Sequence, residues 1–322
     1  MNSTGRITGA VAAMAVAGLL AWSTGLVTAQ ASAPASAVRG APAAAGVTAP
    51  PAFTATPDKT FSAADAHQGV AVDAKFFYAV NNQSITKYDR RTGKAVLQFV
   101  SDDSGPIIHM DSATVVGDKL YVATSDYDSA PEESSVEIFD TRTMRHIGTH
   151  SFGIFRGSLT WLDRHDGAWY GGFANYDEVP DGQTQPYGGT DNTQIVKMDD
   201  AFQVQQAWGV PHEILDRFKP MSNSGGSWGP DGRLWITGHG LDEAYVTELP
   251  DAGSDLRWIA TVRLPQVEGQ AIAWDRSRGA DPTLWAIKRS TSQVLTFTVP
   301  YRSIKEPHTS SFHVYGPGQI QQ

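Results

Sequence analysis

The chain has 322 residues, of which 41% are hydrophobic and 10% aromatic, enough apolar material for a sizeable core. Its formal charge of −9 argues against nucleic acid or an anionic membrane as partner, since both call for a basic surface. There is no cysteine, which excludes disulfides, thiolate metal sites and cysteine nucleophiles.

The N-terminus reads as an export signal. Arg6 supplies a positive start, Ile7 to Val27 is a nearly uncharged run rich in Ala, Val and Leu, and Ala29-Gln30-Ala31 has the small-x-small pattern of a cleavage site. Residues 1–31 are therefore expected to be a signal peptide and the protein to be secreted, with no membrane association after cleavage. Residues 32–57 are almost all Ala, Pro, Ser, Gly, Thr and Val with one charge, Arg39, the composition of a disordered linker. Residues 58–322 are expected to form the folded domain.

Within that domain the chain repeats. Five short segments carry an aromatic after an apolar or small residue: Phe77-Tyr78, Leu120-Tyr121, Ala168-Trp169, Leu234-Trp235 and Leu284-Trp285. Ahead of each lies a run poor in charge with small residues at its start, from Gln68, Asp111, Gly157, Gly225 and Gly269. Behind each lies a β-branched and aromatic run such as Ile85-Thr86-Lys87-Tyr88-Asp89 or Val136-Glu137-Ile138-Phe139-Asp140. Ala74-Lys75, Gly117-Asp118, Asp166-Gly167 and Asp231-Gly232 punctuate the first two runs as hairpin turns. A fourth apolar run follows, such as Val96 to Val100 or Ile259 to Leu264. Four strands in units about 45 residues apart predict an all-β fold, a five-bladed β-propeller of four-stranded antiparallel blades. The last outer strand is either Ser311 to Tyr315 or Lys59 to Ser62, the latter closing the ring by strand exchange. The one stretch of helical character is His212 to Lys219.

Two stretches carry a family resemblance. Gly229-Pro230-Asp231-Gly232-Arg233-Leu234-Trp235-Ile236-Thr237 resembles the inner hairpin of secreted propellers of the broad gluconolactonase, NHL and YVTN type, and Asp89 through Thr92-Gly93-Lys94 resembles their outer turn. The resemblance spans residues 67–300 and implies architecture. The gluconolactonase metal site uses an early Glu, two Asn and an Asp. Glu268-Gly269 is similar to that Glu but lies in the last unit, with no Asn-Gly partner after it, so the family's activity does not carry over.

Propeller geometry sorts the candidate site residues. Inner strands start on the face where ligands bind, and the loops between second and third strands open there too. Those loops lengthen from residues 81–84 through 125–134 to 175–192, and the connection 210–222 is also long; long loops in a compact domain mark function. Residues ahead of the inner strands form a ring: His67, His109 with Asp111, Arg156, Asn223 and Glu268. Second-strand ends add Asn82, Asn175, His239, Lys288 and Arg289, and Tyr176, Tyr187 and Trp208 offer stacking surface. Convergent ionisable groups on one concave face are the usual pattern of a site.

Three functions compete for this ring. The first is an exported enzyme acting on a polar extracellular small molecule or glycan as a carbohydrate hydrolase or lyase. Glu268, Asp111, His109 and His67 are its catalytic candidates, and Arg156, Asn223, Asn82, Asn175, Tyr176, His239, Lys288 and Arg289 its substrate-binding candidates. The second is a metal-dependent lactonase or isomerase with His67, His109 and His239 as ligands to a divalent ion, and Asp126-Tyr127-Asp128 with Glu132-Glu133 suggests a calcium loop. The third is a non-catalytic propeller that binds a ligand or protein. A repetitive lectin is disfavoured because the second-strand ends differ (Asn81, Thr124, Gly172, Gly238, Lys288). Ser158, Ser224 and Ser227 lie near the same face, but no helix follows them as a nucleophile elbow requires. No phosphate loop or dinucleotide fingerprint occurs, so no nucleotide, haem or flavin is expected, and the protein is expected to be a monomer.

Overall fold

The computed structural model describes residues 49–305 apart from 103–104, 128, 180–181, 187 and 278–281. The signal peptide, most of the linker and the Ser311–Tyr315 strand expected above lie outside the described residues. What is described is a five-bladed β-propeller. Blade one comprises Gly69–Val72, Phe76–Val80, Ser84–Asp89 and Ala95–Val100. Blade two comprises His109–Val116, Lys119–Ser125, Ser134–Asp140 and His146–Gly153. Blade three comprises Ser158–His165, Ala168–Ala174, Gln194–Met198 and Val204–Gly209. Blade four comprises Asn223–Trp228, Leu234–Gly238, Glu243–Glu248 and Arg257–Arg263. Blade five takes Ala273–Asp275, Thr283–Lys288 and Gln293–Thr298 from the C-terminal side.

The fourth strand of blade five comes from the N-terminal side. Thr56–Ser62 pairs antiparallel with Gln293–Thr298, so the ring closes by strand exchange. The linker expectation runs too far here: its last residues include the strand Ala52–Thr54 and the first two residues of Thr56–Ser62. Ala52–Thr54 adds in parallel to Arg257–Arg263, giving blade four a fifth strand where four were expected. Composition conceals these segments because an edge strand needs only alternate backbone donors and an apolar anchor. Phe53 provides the anchor, and Pro57 sits at a register shift on an edge, where its missing N–H is tolerated.

Blades are held together face to face. The buried side chains fall into five clusters, one at each seam, and each seam contains an aromatic pair. These are Phe99–Phe139 at 4.7 Å, Tyr121–Trp169 at 4.5 Å, Tyr170–Trp228 at 4.8 Å, Trp235–Trp274 at 5.1 Å and Phe77–Trp285 at 5.5 Å. The aromatics that reveal the repeat are thus the seam packing itself. Trp208, a stacking candidate in the sequence, belongs to this core beside Ile214 and Leu215 of the short helix His212–Phe218.

At the axis the inner strands crowd. A Cβ on Gly69 would lie 2.8 Å from the Ala271 Cβ, and one on Gly225 would lie 2.6 Å from the Ala271 Cα. Larger residues there would force the blades apart. At the other end of the inner strands a buried carboxylate links blades. Asp163 accepts hydrogen bonds from Arg164 N, Trp228 N, Ser227 Oγ and Thr114 Oγ1 and pairs with Arg276, which commits its carboxylate to joining blades.

Seam packing predicts a sharp contrast between two aromatic truncations. Trp285, 3% exposed, should cost about 3–5 kcal/mol when changed to Ala. Phe155, 89% exposed, should cost less than about 0.5 kcal/mol when changed likewise. Urea unfolding of the two variants checks this, and equal losses would contradict the role given to the seams.

Candidate active site

On the face where the inner strands begin, all five blades contribute to one polar cavity of about 410 Å³, within the range of small-molecule sites. Gln68 and Asn82 come from blade one, His109, Asp111 and Tyr127 from blade two, and Tyr176 and Glu178 from blade three. Ser224 and His239 come from blade four with Met221 from the connection into it, and Gln270 and Arg289 come from blade five. Side chains arrive at the starts of inner strands and from the loops that follow second strands, with Met221 from the connection between blades.

The electrostatic centre is a buried pair. His109 Nε2 lies 3.2 Å from Asp111 Oδ1, and Asp111 Oδ2 accepts a hydrogen bond of 3.2 Å from Ser125 Oγ. Burial alone would pull the His109 imidazole down, but the charge of Asp111 and its hydrogen bond outweigh that, so His109 is held toward its imidazolium form. Burial in turn pushes the Asp111 carboxyl above its ordinary value, and His109 opposes the shift. Tyr176, buried beside the pair, is pushed up by burial first and then by the charges of Asp111 and Glu132. Its ring meets Tyr127 edge-on at 5.1 Å, and Tyr127 lies 5.6 Å from the His109 ring. The Tyr127 hydroxyl donates to Glu178.

Across the cavity His239 is in the opposite condition. Arg289 Nη1 donates to His239 Nε2 at 3.0 Å. A guanidinium can only donate, so that ring nitrogen carries a lone pair and the ring is neutral with its proton on Nδ1. Burial first, and the charge of Arg289 second, keep His239 below its ordinary value.

Several sequence candidates do other work. Glu268 accepts from Ser290 N at 2.7 Å and from Ser290 Oγ at 2.6 Å, and these bonds hold its carboxyl below the ordinary range. It thereby pins the turn Arg289–Thr291 that carries Arg289. His67 reaches the same turn through a 3.1 Å contact between its Nε2 and Ser292 Oγ. Neither residue lines the cavity. Asn223 is fully buried: it accepts from Trp161 Nε1 at 2.6 Å and donates to the Gly225 and Thr237 carbonyls. Arg156 donates to Gln194 Oε1 at 3.1 Å within blade three. Asn175 donates to the Arg156 and Asn192 carbonyls and staples the base of the long loop. Lys288 lies outside the cavity, and Tyr187 lies outside the described residues.

The three histidines considered as metal ligands are not brought together. His109 and His239 share the cavity but His67 does not, and among the described residues no group of three or more His, Asp and Glu side chains is arranged to hold an ion. In the acidic loop considered for calcium, Glu132 turns inward to accept from Ser158 Oγ at 2.8 Å and Asp126 accepts from Glu133 N, while Asp128 lies outside the described residues. Gly225-Gly226-Ser227-Trp228-Gly229 has the spacing of a nucleophile elbow, but Ser227 lies inside an inner strand, donating to Asp163 and accepting from Trp274 N.

Gln68, Ser224 and Gln270 were not among the sequence candidates, although each lies one or two positions from one that was. Neighbouring side chains of an extended backbone face opposite ways, which separates Gln68 from His67 and Ser224 from Asn223, whereas Gln270 is turned inward by the left-handed backbone at Gly269 and Gln270. Asn82 is a candidate that does reach the wall, and Gln68 Nε2 donates to its Oδ1 at 2.6 Å. Glu132, Tyr127 and Glu178 sit on loops with no local motif.

Glu132 provides a direct test of this electrostatics. Burial foremost, with the charges of Asp126 and Asp111, raises its carboxyl from 4.5 to about 7. Between those values the folded state holds a proton that the unfolded chain has released, so Glu132 contributes stability below about pH 4.5 that is lost as pH rises through 7. Glu132→Gln cannot ionise. Between pH 5 and pH 8 the parent should lose roughly 2–3 kcal/mol more stability than the variant in urea unfolding. Parallel pH profiles would show that Glu132 ionises normally.

No family model and no curated protein matches the sequence. Among solved structures, the PQQ-bound aldose sugar dehydrogenase of Streptomyces coelicolor is 14% identical with a TM-score of 0.45, covering 77% of this chain and 99% of that one. The hydrazine synthase of Kuenenia stuttgartiensis is 12% identical with a TM-score of 0.40, covering 73% of this chain and 83% of that one. Likeness at this level carries no information on activity.

Proposed function

We propose that the protein is an exported enzyme that performs general acid–base chemistry on a polar, hydroxyl-rich molecule, as a carbohydrate hydrolase or lyase. One observation carries the reading: two histidines on the wall of a single cavity are driven in opposite directions, His109 toward imidazolium and His239 toward the neutral ring. Titratable groups whose environments push them apart are how one site keeps an acid and a base available together. His109, backed by Asp111, is the acid that protonates a departing oxygen. His239 is the base that takes a proton from water in hydrolysis, or from a carbon beside a carboxylate in elimination.

The rest of the wall suits a sugar. The Gln68–Asn82 amide pair leaves Asn82 Nδ2 and Gln68 Oε1 for ligand hydroxyls. The Tyr127–Tyr176 pair offers an aromatic wall with polar tips beside the acid. Relative to the sequence reading, the acid–base role passes from Glu268 to the two histidines, and Asp111 keeps a part as the partner of His109.

A panel of neutral and acidic oligosaccharides, with products followed by mass spectrometry, tests the proposal. A substrate should be cleaved with a bell-shaped pH profile, and His109→Gln and His239→Gln should each lower kcat by about 10²–10⁴-fold. Asp111→Asn should move the basic limb of that profile downward, because the charge that holds the proton on His109 is gone. An oligosaccharide that binds but is never cleaved, or one cleaved at full rate by both histidine variants, would make the protein a binding module.

A further inference from the structure

The arginine on the cavity wall has an unusual partner. Arg289 gives its hydrogen bond to the lone pair of a neutral imidazole, and among the described residues no carboxylate lies within ion-pair reach of it. The other wall cation, His109, is already matched by Asp111. Glu178 stands at the exposed rim, where it takes the Tyr127 hydroxyl. The cavity therefore contains a guanidinium that no carboxylate contacts, with Glu178 at the rim and Glu268, bonded to the same turn, acting on it only at a distance.

We propose that Arg289 is the receptor for a carboxylate on the substrate, and that its transfer from His239 Nε2 to that carboxylate unmasks His239 as the base. This rests on the acid–base reading above and narrows it to a carboxylate-bearing sugar. A guanidinium binds a carboxylate through two parallel bonds between opposite charges, against the single bond to an uncharged acceptor that Arg289 gives His239. The exchange is therefore downhill once a carboxylate enters. The backbone beneath is braced for it: Glu268 ties down Ser290 through two bonds and His67 meets Ser292, so the side chain can swing while the turn stays in place. Those two residues are positioning residues for Arg289.

The swing also changes the basicity of His239. In the resting state its ring is faced by the Arg289 charge, by Glu178 across the rim and by the neutralised His109–Asp111 pair. A carboxylate on Arg289 cancels the positive charge beside the ring, so the lone pair is freed and made more basic in one movement. A neutral sugar leaves Arg289 on His239 and the base masked. Selection for the acidic sugar thus acts on the chemical step as well as on binding.

Nitrogen-15 spectra of the histidine rings, recorded on the full protein, test this with D-glucuronate as probe and D-glucose as its neutral control. Glucuronate should shift the His239 Nε2 resonance, and glucose should not. Arg289→Gln should weaken glucuronate binding at least tenfold and abolish the shift, whereas Arg289→Lys, which keeps a point charge without the fork, should retain part of both. No glucuronate-dependent change, binding that leaves Nε2 unmoved, or equal binding by Arg289→Gln would each overturn the proposal. The two readings separate cleanly. Carboxylate capture with no turnover of any sugar supports Arg289 as receptor and removes the enzyme. Turnover of neutral sugars untouched by Arg289→Gln keeps the enzyme and removes the receptor.

Discussion

A blade of this protein is apolar on both faces, and each face is covered only by the next blade. Everything else follows from that requirement. A row of such sheets always has two bare faces at its ends, so the row must bend until the ends meet. Here the join is made by Thr56–Ser62 on blade five and by Trp285 against Phe77 across the last seam. Arg90 of blade one pairs with Asp275 of blade five at 2.6 Å over the same seam, a charge pair whose carboxylate is almost completely buried. Closing a ring of five brings the inner strands so near the axis that Gly69, Gly225 and Ala271 sit at contact distance.

The same closure makes the site. An axis too narrow for large side chains in its middle widens at the end where the inner strands begin, and four strand starts and the loops after all five second strands deliver polar groups to one small volume. The scaffold is rigid because its seams are packed aromatics, so the groups need no closing motion to meet. Electrostatics then divides two chemically identical rings. His109 has a buried carboxylate behind it and His239 has a guanidinium in front of it, and burial amplifies both effects by removing water. Glu268 and His67, which hold the turn that carries Arg289, are half-exposed and occupy the positions expected of site residues, yet neither lines the cavity.

How far the sequence reveals this depends on the level. The blades are legible because the seam aromatics recur once per unit, and Phe77, Tyr121, Trp169, Trp235 and Trp285 all proved to be seam residues. The face of the site is legible because loop length and ionisable residues accumulate on one side of the alternation. Which side chain enters the cavity is not. Register shifts fall at the start of the inner strands in blades two, three and four, between Met110 and Ser112, Leu159 and Trp161, and Asn223 and Gly225. A bulge there rotates the following side chain, so Asn223 turns to cap Trp161 and Ser224 reaches the wall. The strands at 52–57 were hidden for a different reason: they are edge strands whose pairing is a backbone matter and leaves little trace in side-chain pattern.

One cavity drives two histidines in opposite directions, His109 toward its imidazolium and His239 toward its neutral form. The most direct measurement is a pH titration of their ring resonances in the unliganded protein, assigned with His109→Gln and His239→Gln. The account predicts that His109 titrates above the ordinary imidazole value of about 6.5 and His239 below it, with Asp111→Asn bringing His109 down and leaving His239 where it was. Two rings titrating together near the ordinary value would contradict it.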